Sequence, residues 1–333
     1  MTRLLSALTC LSLLAATACG SADDAGSSGG PQVIAAFYPL EFVVSEVGGG
    51  LVDVTNLSPP GVEPHDLELA PSRVRSLAQA DLIVYLGEGF QPAVEDVVSE
   101  LSDTPVIDGL ATQDELIEGA GAHEDEVAHE DEAEDHEEEG DDHSDEEAHE
   151  DEEGHDHELE EGATDPHVWL DPTRVASLAH AVAAEMERID PDNADVYERN
   201  ADALEDDLAE LDEEYSTALG TCERSELVVS HEAFGYLTQR YGLEQVGVSG
   251  IDPESEPSPG RVAEVAEFAR EHGVTTIFFE EQVAPDIAQV IADEIGAEVE
   301  VLNPLEFPPD GNADYFDVMR TNLDSITAAL DCE

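Results

Sequence analysis

The chain has 333 residues, enough for two globular lobes with separate cores, and 41% of its residues are hydrophobic. Its 82 acidic residues against 11 arginines and no lysine give a net charge of −71. This balance excludes binding to nucleic acid or anionic lipid through a basic surface, and it favours a strongly hydrated protein that attracts cations.

The start of the chain predicts export and anchoring. Residues 1–18 have a basic start and a short apolar stretch, which is too short to span a bilayer and is typical of a signal peptide. Small residues then precede Cys19 and resemble the lipobox of bacterial lipoproteins, although leucine is usual in place of Ala16. The resemblance implies an extracytoplasmic protein held at the membrane by a lipid on Cys19, with residues 19–32 as anchor and flexible tether. A secreted protein without lipid is the alternative.

Short β-rich runs then alternate with helical patterns. This alternation predicts parallel sheets flanked by helices. Helical segments are predicted at 72–80 and 259–272, the second between a Ser-Pro start and a glycine stop. The predicted strands are 33–38, 51–57, 82–86, 227–230, 275–279 and 298–302.

A long helical stretch separates the two groups of strands. It runs from 172 to 219 and is interrupted by Pro191, and its later part has leucines at helical spacing. We therefore predict an α/β fold of two lobes joined by a helix. The predicted units are an N-terminal lobe (33–190), a linking helix (191–219) and a C-terminal lobe (220–333).

One segment of the N-terminal lobe is predicted to be a disordered loop. Residues 123–161 contain 24 acidic residues and seven histidines, and they have too few apolar side chains to offset the entropy of ordering. These histidines are His123, His129, His136, His143, His149, His155 and His157.

The cysteines restrict the kinds of site that the chain can build. Cys10 lies in the predicted signal peptide and Cys19 is the predicted lipid attachment point. Cys222 and Cys332 remain as an isolated pair in an exported chain, and we predict a disulfide between them. A metal site must then use histidine, carboxylate and water.

Three histidines outside the loop lie near the ends of predicted elements. His65 follows the strand 51–57, His167 precedes a helix, and His231 follows the strand 227–230. Ligands of open parallel sheets bind beyond the carboxyl ends of the strands. Three imidazoles and a carboxylate suit Zn²⁺, which takes such ligands tetrahedrally at about 2.0–2.2 Å. Each histidine taken singly also fits a structural role, so spacing alone leaves both interpretations open.

Three motifs resemble those of a known protein family, and this resemblance favours a metal site over structural roles for the three histidines. Glu-Pro-His-Asp-Leu-Glu (63–68), Asp-Pro-His-Val-Trp-Leu-Asp-Pro (165–172) and Ser-His-Glu-Ala-Phe-Gly-Tyr-Leu (230–237) resemble the signature segments of zinc and manganese ABC-transporter substrate-binding proteins, in order and spacing. The resemblance extends over about 33–332, and a loop rich in His and acids is a mark of the zinc members.

The resemblance implies a two-lobed fold with a rigid linking helix and one metal between the lobes. It implies that His65, His167 and His231 are the metal ligands. It further implies a monomer that is not an enzyme and that delivers zinc to a membrane permease driven by an ATPase.

The choice of metal and the fourth ligand need separate arguments. Manganese-selective relatives usually carry Glu at the third motif, so His231 favours Zn²⁺ over Mn²⁺. Many members have Asp where this chain has Asn303, a poor replacement because it is neutral. We predict Glu306 as the fourth ligand, with water as the alternative.

Three alternative roles stay open at this stage. The acidic loop is either solvated low-complexity sequence or a set of weak, exchangeable zinc sites that raise the local zinc concentration. A zinc hydrolase would also use three histidines, but with water at an open fourth position. Some relatives combine transport with cell adhesion, which the sequence cannot test.

Overall fold

The computed structural model of the chain describes residues 29–59, 61–118, 163–280 and 286–333. The predicted signal peptide, Cys19 and the acidic loop 123–161 lie outside the described residues. A search of the described helices found none that is both long enough and apolar enough to cross a membrane.

Within the described residues, eight strands form two parallel four-stranded sheets. Two of the strands were not predicted: Val106–Asp108 is only three residues long, and Glu244–Gly247 opens with the polar residues Glu244 and Gln245. The six predicted strands are confirmed, with ends that differ by at most three residues. The strands are β1 (Gln32–Ala35), β2 (Asp53–Asn56), β3 (Leu82–Tyr85), β4 (Val106–Asp108), β5 (Glu226–Val229), β6 (Glu244–Gly247), β7 (Thr276–Phe279) and β8 (Glu298–Val301).

The described part of the chain also contains nine α-helices. Five begin with proline in the first turn, where its missing N–H costs nothing. The helices are α1 (Tyr38–Gly48), α2 (Pro71–Leu77), α3 (Pro92–Glu100), α4 (Pro172–Ile189), α5 (Ala194–Leu219), α6 (Gly235–Tyr241), α7 (Pro259–Glu271), α8 (Asp286–Ile295) and α9 (Tyr315–Ala329).

Both sheets have the same topology. Their strand orders are β2-β1-β3-β4 and β6-β5-β7-β8, so in each sheet the chain reverses its direction of winding beside the central pair of strands. The carboxyl ends of strands at such a switch point open into a crevice that binds ligands in α/β proteins. The two predicted lobes with parallel sheets are therefore confirmed, and each has a suitable edge for a site.

One hydrophobic core extends through both lobes, and each lobe also has a smaller core of its own. Strand side chains alternate between faces, so that in β5 Leu227 and Val229 join the shared core while Val228 faces α7 and α8. The shared core continues through α5, by way of Leu204 and Tyr215, to α9. Because this core is packed as one cluster, large movements of one lobe against the other would break it.

The linking helix is shorter at its start than the predicted 191–219. Residues Pro191–Asn193 form a single 3-10 turn, because proline cannot continue the helix of α4, and α5 begins at Ala194. At the other end of the chain, Cys222 and Cys332 form the predicted disulfide, which joins the end of α9 to the segment after α5.

Candidate metal centre

Four predicted ligands converge in the crevice between the lobes. His65, His167, His231 and Glu306 each present one ligand atom, and these four atoms lie within 4.8 Å of one another. They come from four segments that are far apart in the sequence. The convergence that the three motifs and the predicted fourth residue required is therefore present.

The spacing of the four atoms approaches a tetrahedron. Nε2 of His167 lies 3.3 Å from Nε2 of His231. Oε1 of Glu306 lies 3.7 Å, 3.4 Å and 3.5 Å from Nε2 of His65, His167 and His231. Bonds of 2.0–2.1 Å in tetrahedral zinc sites require ligand atoms about 3.3 Å apart. A cation at the centre would thus be at bonding distance after small side-chain adjustments.

Burial leaves polar atoms of the site without partners. Glu306 is 2% exposed and His167 is fully buried. Nε2 of His65 and Oε1 of Glu306 are buried and have no hydrogen-bond partner. Buried polar atoms normally have a partner, because leaving one unpaired costs about 1–3 kcal/mol. The donor set therefore fits a bound cation.

His65 is held by a loop between β2 and α2. Its ring packs edge-on against Phe90, with centroids 4.5 Å apart. The loop is fixed by Gln91, whose side chain donates to the carbonyl of Pro64 at 3.2 Å. At 12% side-chain exposure, His65 is the most accessible of the four residues, so it faces the path by which a cation would enter.

His167 is fixed by Asp165. One carboxylate oxygen of Asp165 lies 2.8 Å from Nδ1 of His167 and accepts the His167 backbone N–H at 2.9 Å. A 3-10 turn over Val168–Leu170 then leads into α4, whose first turn is capped by Asp171. This arrangement orients the ring so that Nε2 faces the other ligands.

His231 is fixed by a carboxylate from the neighbouring strand. His231 follows β5 and Glu280 follows β7, the central pair of the C-terminal sheet. Nδ1 of His231 lies 2.6 Å from Oε1 of Glu280, and Ser230 donates to the same oxygen. Both residues are nearly fully buried. The switch point of the sheet thus supplies one ligand together with its supporting group.

A constrained turn directs Glu306 into the site. Leu305 has a left-handed backbone (φ 61°), which is uncommon for a residue with a branched side chain. The side chain of Asn303 accepts from the Leu305 N–H at 2.7 Å, and Trp169 donates to the carbonyl of Pro304 at 2.7 Å. Asn303 therefore acts in the turn, and Glu306 supplies the carboxylate.

The pKa values of the site residues reflect their burial and their close spacing. Burial opposes ionisation of Glu306, yet the three imidazoles hold the pKa of its carboxyl well below the usual range. Burial also opposes protonation of His231, but Glu280 and Glu306 raise its pKa well above the ordinary value. Burial lowers the pKa of His65. The site is therefore a pocket of negative potential that favours a positive charge between the four residues.

Sequence reasoning did not assign Asp165 and Glu280 a role. Asp165 is part of the second motif and Glu280 follows the predicted strand 275–279, but the sequence alone does not identify either as a partner of an imidazole. A carboxylate two residues before a candidate histidine is a usable signal for Asp165. Glu280 is 49 residues from His231 in the chain, so only the strand order brings the two together.

This chain is similar to known zinc-binding proteins. The high-affinity zinc uptake system protein ZnuA of Bacillus subtilis is 34% identical over 326 residues, covering 95% of this chain and 94% of that protein. The Zn(II)-bound ZnuA-like domain of Streptococcus pneumoniae AdcA superposes with a TM-score of 0.69 at 28% identity, covering 91% of this chain and all of that domain.

A third similar protein is described as having two activities. The laminin-binding protein Lmb of Streptococcus agalactiae, titled a bifunctional protein with adhesin and metal transporting activity, superposes with a TM-score of 0.74 at 30% identity, covering 90% of this chain and all of that one. The zinc-binding protein AdcA of Streptococcus pyogenes is longer, and this chain spans 57% of its length.

The family profile for the periplasmic component A of the zinc-uptake complex (ZnuA) matches residues 33–329. This match covers both lobes, and it confirms the family that the three motifs predicted. The chain belongs to the ZnuA family, whose members are solute-binding proteins for zinc uptake and not enzymes.

Proposed function

We propose that this chain is the extracytoplasmic substrate-binding protein of a metal ABC importer and that it captures Zn²⁺ with His65, His167, His231 and Glu306. The observation that carries the proposal is the near-tetrahedral spacing of four converging ligand atoms, two of which are buried without a hydrogen-bond partner. Zinc is the cargo of this site.

The donor set favours zinc over manganese. The site offers three imidazole nitrogens and one carboxylate, and imidazole suits zinc, whereas carboxylate and water suit Mn²⁺. Its spacing also suits four-coordinate zinc. Relatives named as zinc-binding proteins support the same choice.

The position of Glu306 separates capture from hydrolysis. A catalytic zinc site keeps a vertex open for water, whereas here a buried carboxylate oxygen lies 3.4–3.7 Å from all three imidazoles and closes the fourth vertex. A closed set of four protein ligands suits binding and release of the ion rather than activation of water.

The two-lobed arrangement supports the proposed capture and delivery. Zinc enters beside His65, the most accessible ligand, and the shared core allows only a small closing movement. The loaded protein then docks on a membrane permease, whose ATPase drives import. Lipidation of Cys19 and a monomeric state complete the proposal, with lobes at 33–190 and 220–333.

The acidic loop is proposed to collect zinc weakly. Glu118 and Thr164 pair in an antiparallel bridge, and the Asp165 N–H donates to the carbonyl of Ile117 at 2.8 Å. The segment 123–161 is therefore attached to the fold within a few residues of His167. The seven histidines of this segment are tethered to the fold at this point, and we propose that the tether raises the local zinc concentration.

Zinc titration of metal-free protein tests these assignments. We expect one tight site and several weak ones, measured by competition with a chromophoric chelator. Deletion of 123–161 should remove the weak class alone, and His231→Ala should remove the tight site alone. Loss of the tight site in the deletion variant would contradict this division of roles.

Adhesion is a second candidate, suggested by the laminin-binding relative. Binding of the purified protein to immobilised laminin, with and without zinc, tests it. No binding at micromolar protein would reject this second activity and leave zinc capture unaffected.

A further inference from the structure

The start of α6 touches the group that orients a metal ligand of the other lobe. Tyr236 is 1% exposed, and its hydroxyl donates to the backbone carbonyl of Asp165 at 2.8 Å. The same hydroxyl accepts the backbone N–H of Ile117 at 3.0 Å. This one side chain of the C-terminal lobe therefore fixes the backbone from which Asp165 reaches His167.

Gly235, the residue before Tyr236, leaves space for the side chain of Asp165. A β-carbon added at Gly235 would lie 2.4 Å from Oδ2 of Asp165, closer than real contacts allow. The other carboxylate oxygen, Oδ1, contacts the backbone nitrogen and the ring Nδ1 of His167. Gly235 thus lets the carboxylate lie directly against the helix start, and any larger residue must displace it.

The tyrosine ring is itself held in place. The Arg174 guanidinium lies over the ring, 4.4 Å from its centroid, and one of its nitrogens donates to the carbonyl of Glu115 at 2.6 Å. A ring fixed from its face and at its hydroxyl has little freedom to turn. Asp165 is therefore held from two sides, by Ile117 of its own lobe and by Tyr236 of the C-terminal lobe.

We infer that Gly235 and Tyr236 are positioning residues for zinc binding, which act from the C-terminal lobe through Asp165 on His167. The inference rests on the proposed function. His231 lies four residues before Gly235, so one short segment supplies one ligand and fixes the support of another. This coupling keeps Nε2 of His167 and Nε2 of His231 at a fixed distance from each other when the lobes move.

Conservative variants of the full chain test this role. Tyr236→Phe removes the hydroxyl, and its control is Tyr215→Phe, which removes a buried hydroxyl that donates to the carbonyl of Met319 at 2.6 Å. Gly235→Ala displaces Asp165, and its control is Gly260→Ala near the start of α7, where an added β-carbon meets Ser258 at an ordinary 3.6 Å.

The measurements are the zinc dissociation constant, the visible spectrum of the Co²⁺-loaded protein and the melting temperature. Loss of one hydrogen bond in Tyr236→Phe should weaken zinc binding by about 3- to 10-fold. Displacement of the support in Gly235→Ala should weaken it by about 10- to 100-fold. Both should change the cobalt spectrum, which reports ligand geometry, while the two controls keep the affinity and spectrum of the wild type.

Two results would overturn the inference, and they can be told apart. If Tyr236→Phe and Gly235→Ala match their controls in zinc affinity and in cobalt spectrum, positioning is wrong while zinc capture stands. If the wild type itself binds no zinc tightly, the proposed function fails and the inference fails with it. A variant that melts at the control's temperature but binds zinc more weakly supports positioning over a purely structural role.

Discussion

His167 and His231 face each other across the lobe interface with their Nε2 atoms 3.3 Å apart. The opposite nitrogen of each ring contacts a carboxylate, Asp165 for one and Glu280 for the other. When Nδ1–H is donated to a carboxylate, Nε2 of the neutral ring is left as an acceptor. Two acceptors at this distance repel unless a proton or a metal cation lies between them, so the geometry itself requires a positive charge.

Removal of one imidazole should abolish tight capture. We expect His231→Ala to weaken zinc binding by at least about 100-fold, because it removes one of the four proposed zinc ligands and leaves Glu280 buried without its partner. His180→Ala is the matched control, since His180 is exposed and pairs with Glu205 on the outer face of α4 and α5. Chelator competition measures both. Equal affinities for the two variants would exclude His231 as a ligand.

The fourth ligand is tested by a pair of substitutions in one turn. Glu306→Gln removes the negative charge that faces three imidazoles, and we expect zinc affinity to fall by about 10- to 100-fold. Asn303→Ala removes the hydrogen bond to Leu305, and we expect it to reduce stability by about 0.5–1.5 kcal/mol. Its effect on affinity should be smaller than that of Glu306→Gln. A larger loss of zinc affinity in Asn303→Ala than in Glu306→Gln would contradict the assignment of Glu306 as the fourth ligand.

The parts of this molecule that the sequence predicts are those with local signals. His65, His167 and His231 lie in distinctive motifs next to element ends, and the six predicted strands have continuous or alternating runs of apolar residues. The edge strands β4 and β6 have no such run: Glu244 and Gln245 open β6 and leave no alternating pattern. Pro191 marks the break between α4 and α5, but its exact effect on the helix start requires the structure.

The parts that the sequence does not predict depend on tertiary contacts. Glu280 reaches His231 because β5 and β7 are neighbours, which follows from the strand order and not from sequence proximity. The left-handed conformation of Leu305, a residue type that rarely adopts it, is imposed by Asn303 and Trp169. Likewise, nothing in the third motif alone shows that Tyr236 contacts Asp165.

Zinc binding should release protons. The pKa values of His231 and His167 are raised in the zinc-free protein: burial opposes this, but Glu280 and Glu306 act on His231, and Asp165 and Glu306 act on His167. Because zinc binds the neutral ring, it must displace the protons that these rings hold. Affinity should therefore fall as the pH falls.

The same shifts fix the sign of the stability change. A raised histidine pKa stabilises the zinc-free fold at pH values below the unfolded pKa of about 6.5, and this contribution is lost as the pH rises through the raised pKa.

Calorimetric titration of zinc into the protein, in buffers of different ionisation enthalpy, counts the protons that zinc binding releases. A zinc affinity that is independent of pH from 6 to 8 would contradict imidazole ligation.

The disulfide should stabilise the fold without affecting the site. It joins residues 110 positions apart and so restricts the unfolded chain. Removing such a disulfide typically lowers the free energy of unfolding by about 2–4 kcal/mol. We expect the double variant Cys222→Ser/Cys332→Ser to unfold at lower denaturant concentration when both proteins are zinc-free. Its zinc dissociation constant should equal that of the wild type, because the bond holds the end of α9 rather than any of the four ligand segments. An unchanged unfolding midpoint would mean that Arg224, which donates to the carbonyl of Ala329 at 3.0 Å and pairs with Asp331, already fixes this end of the chain.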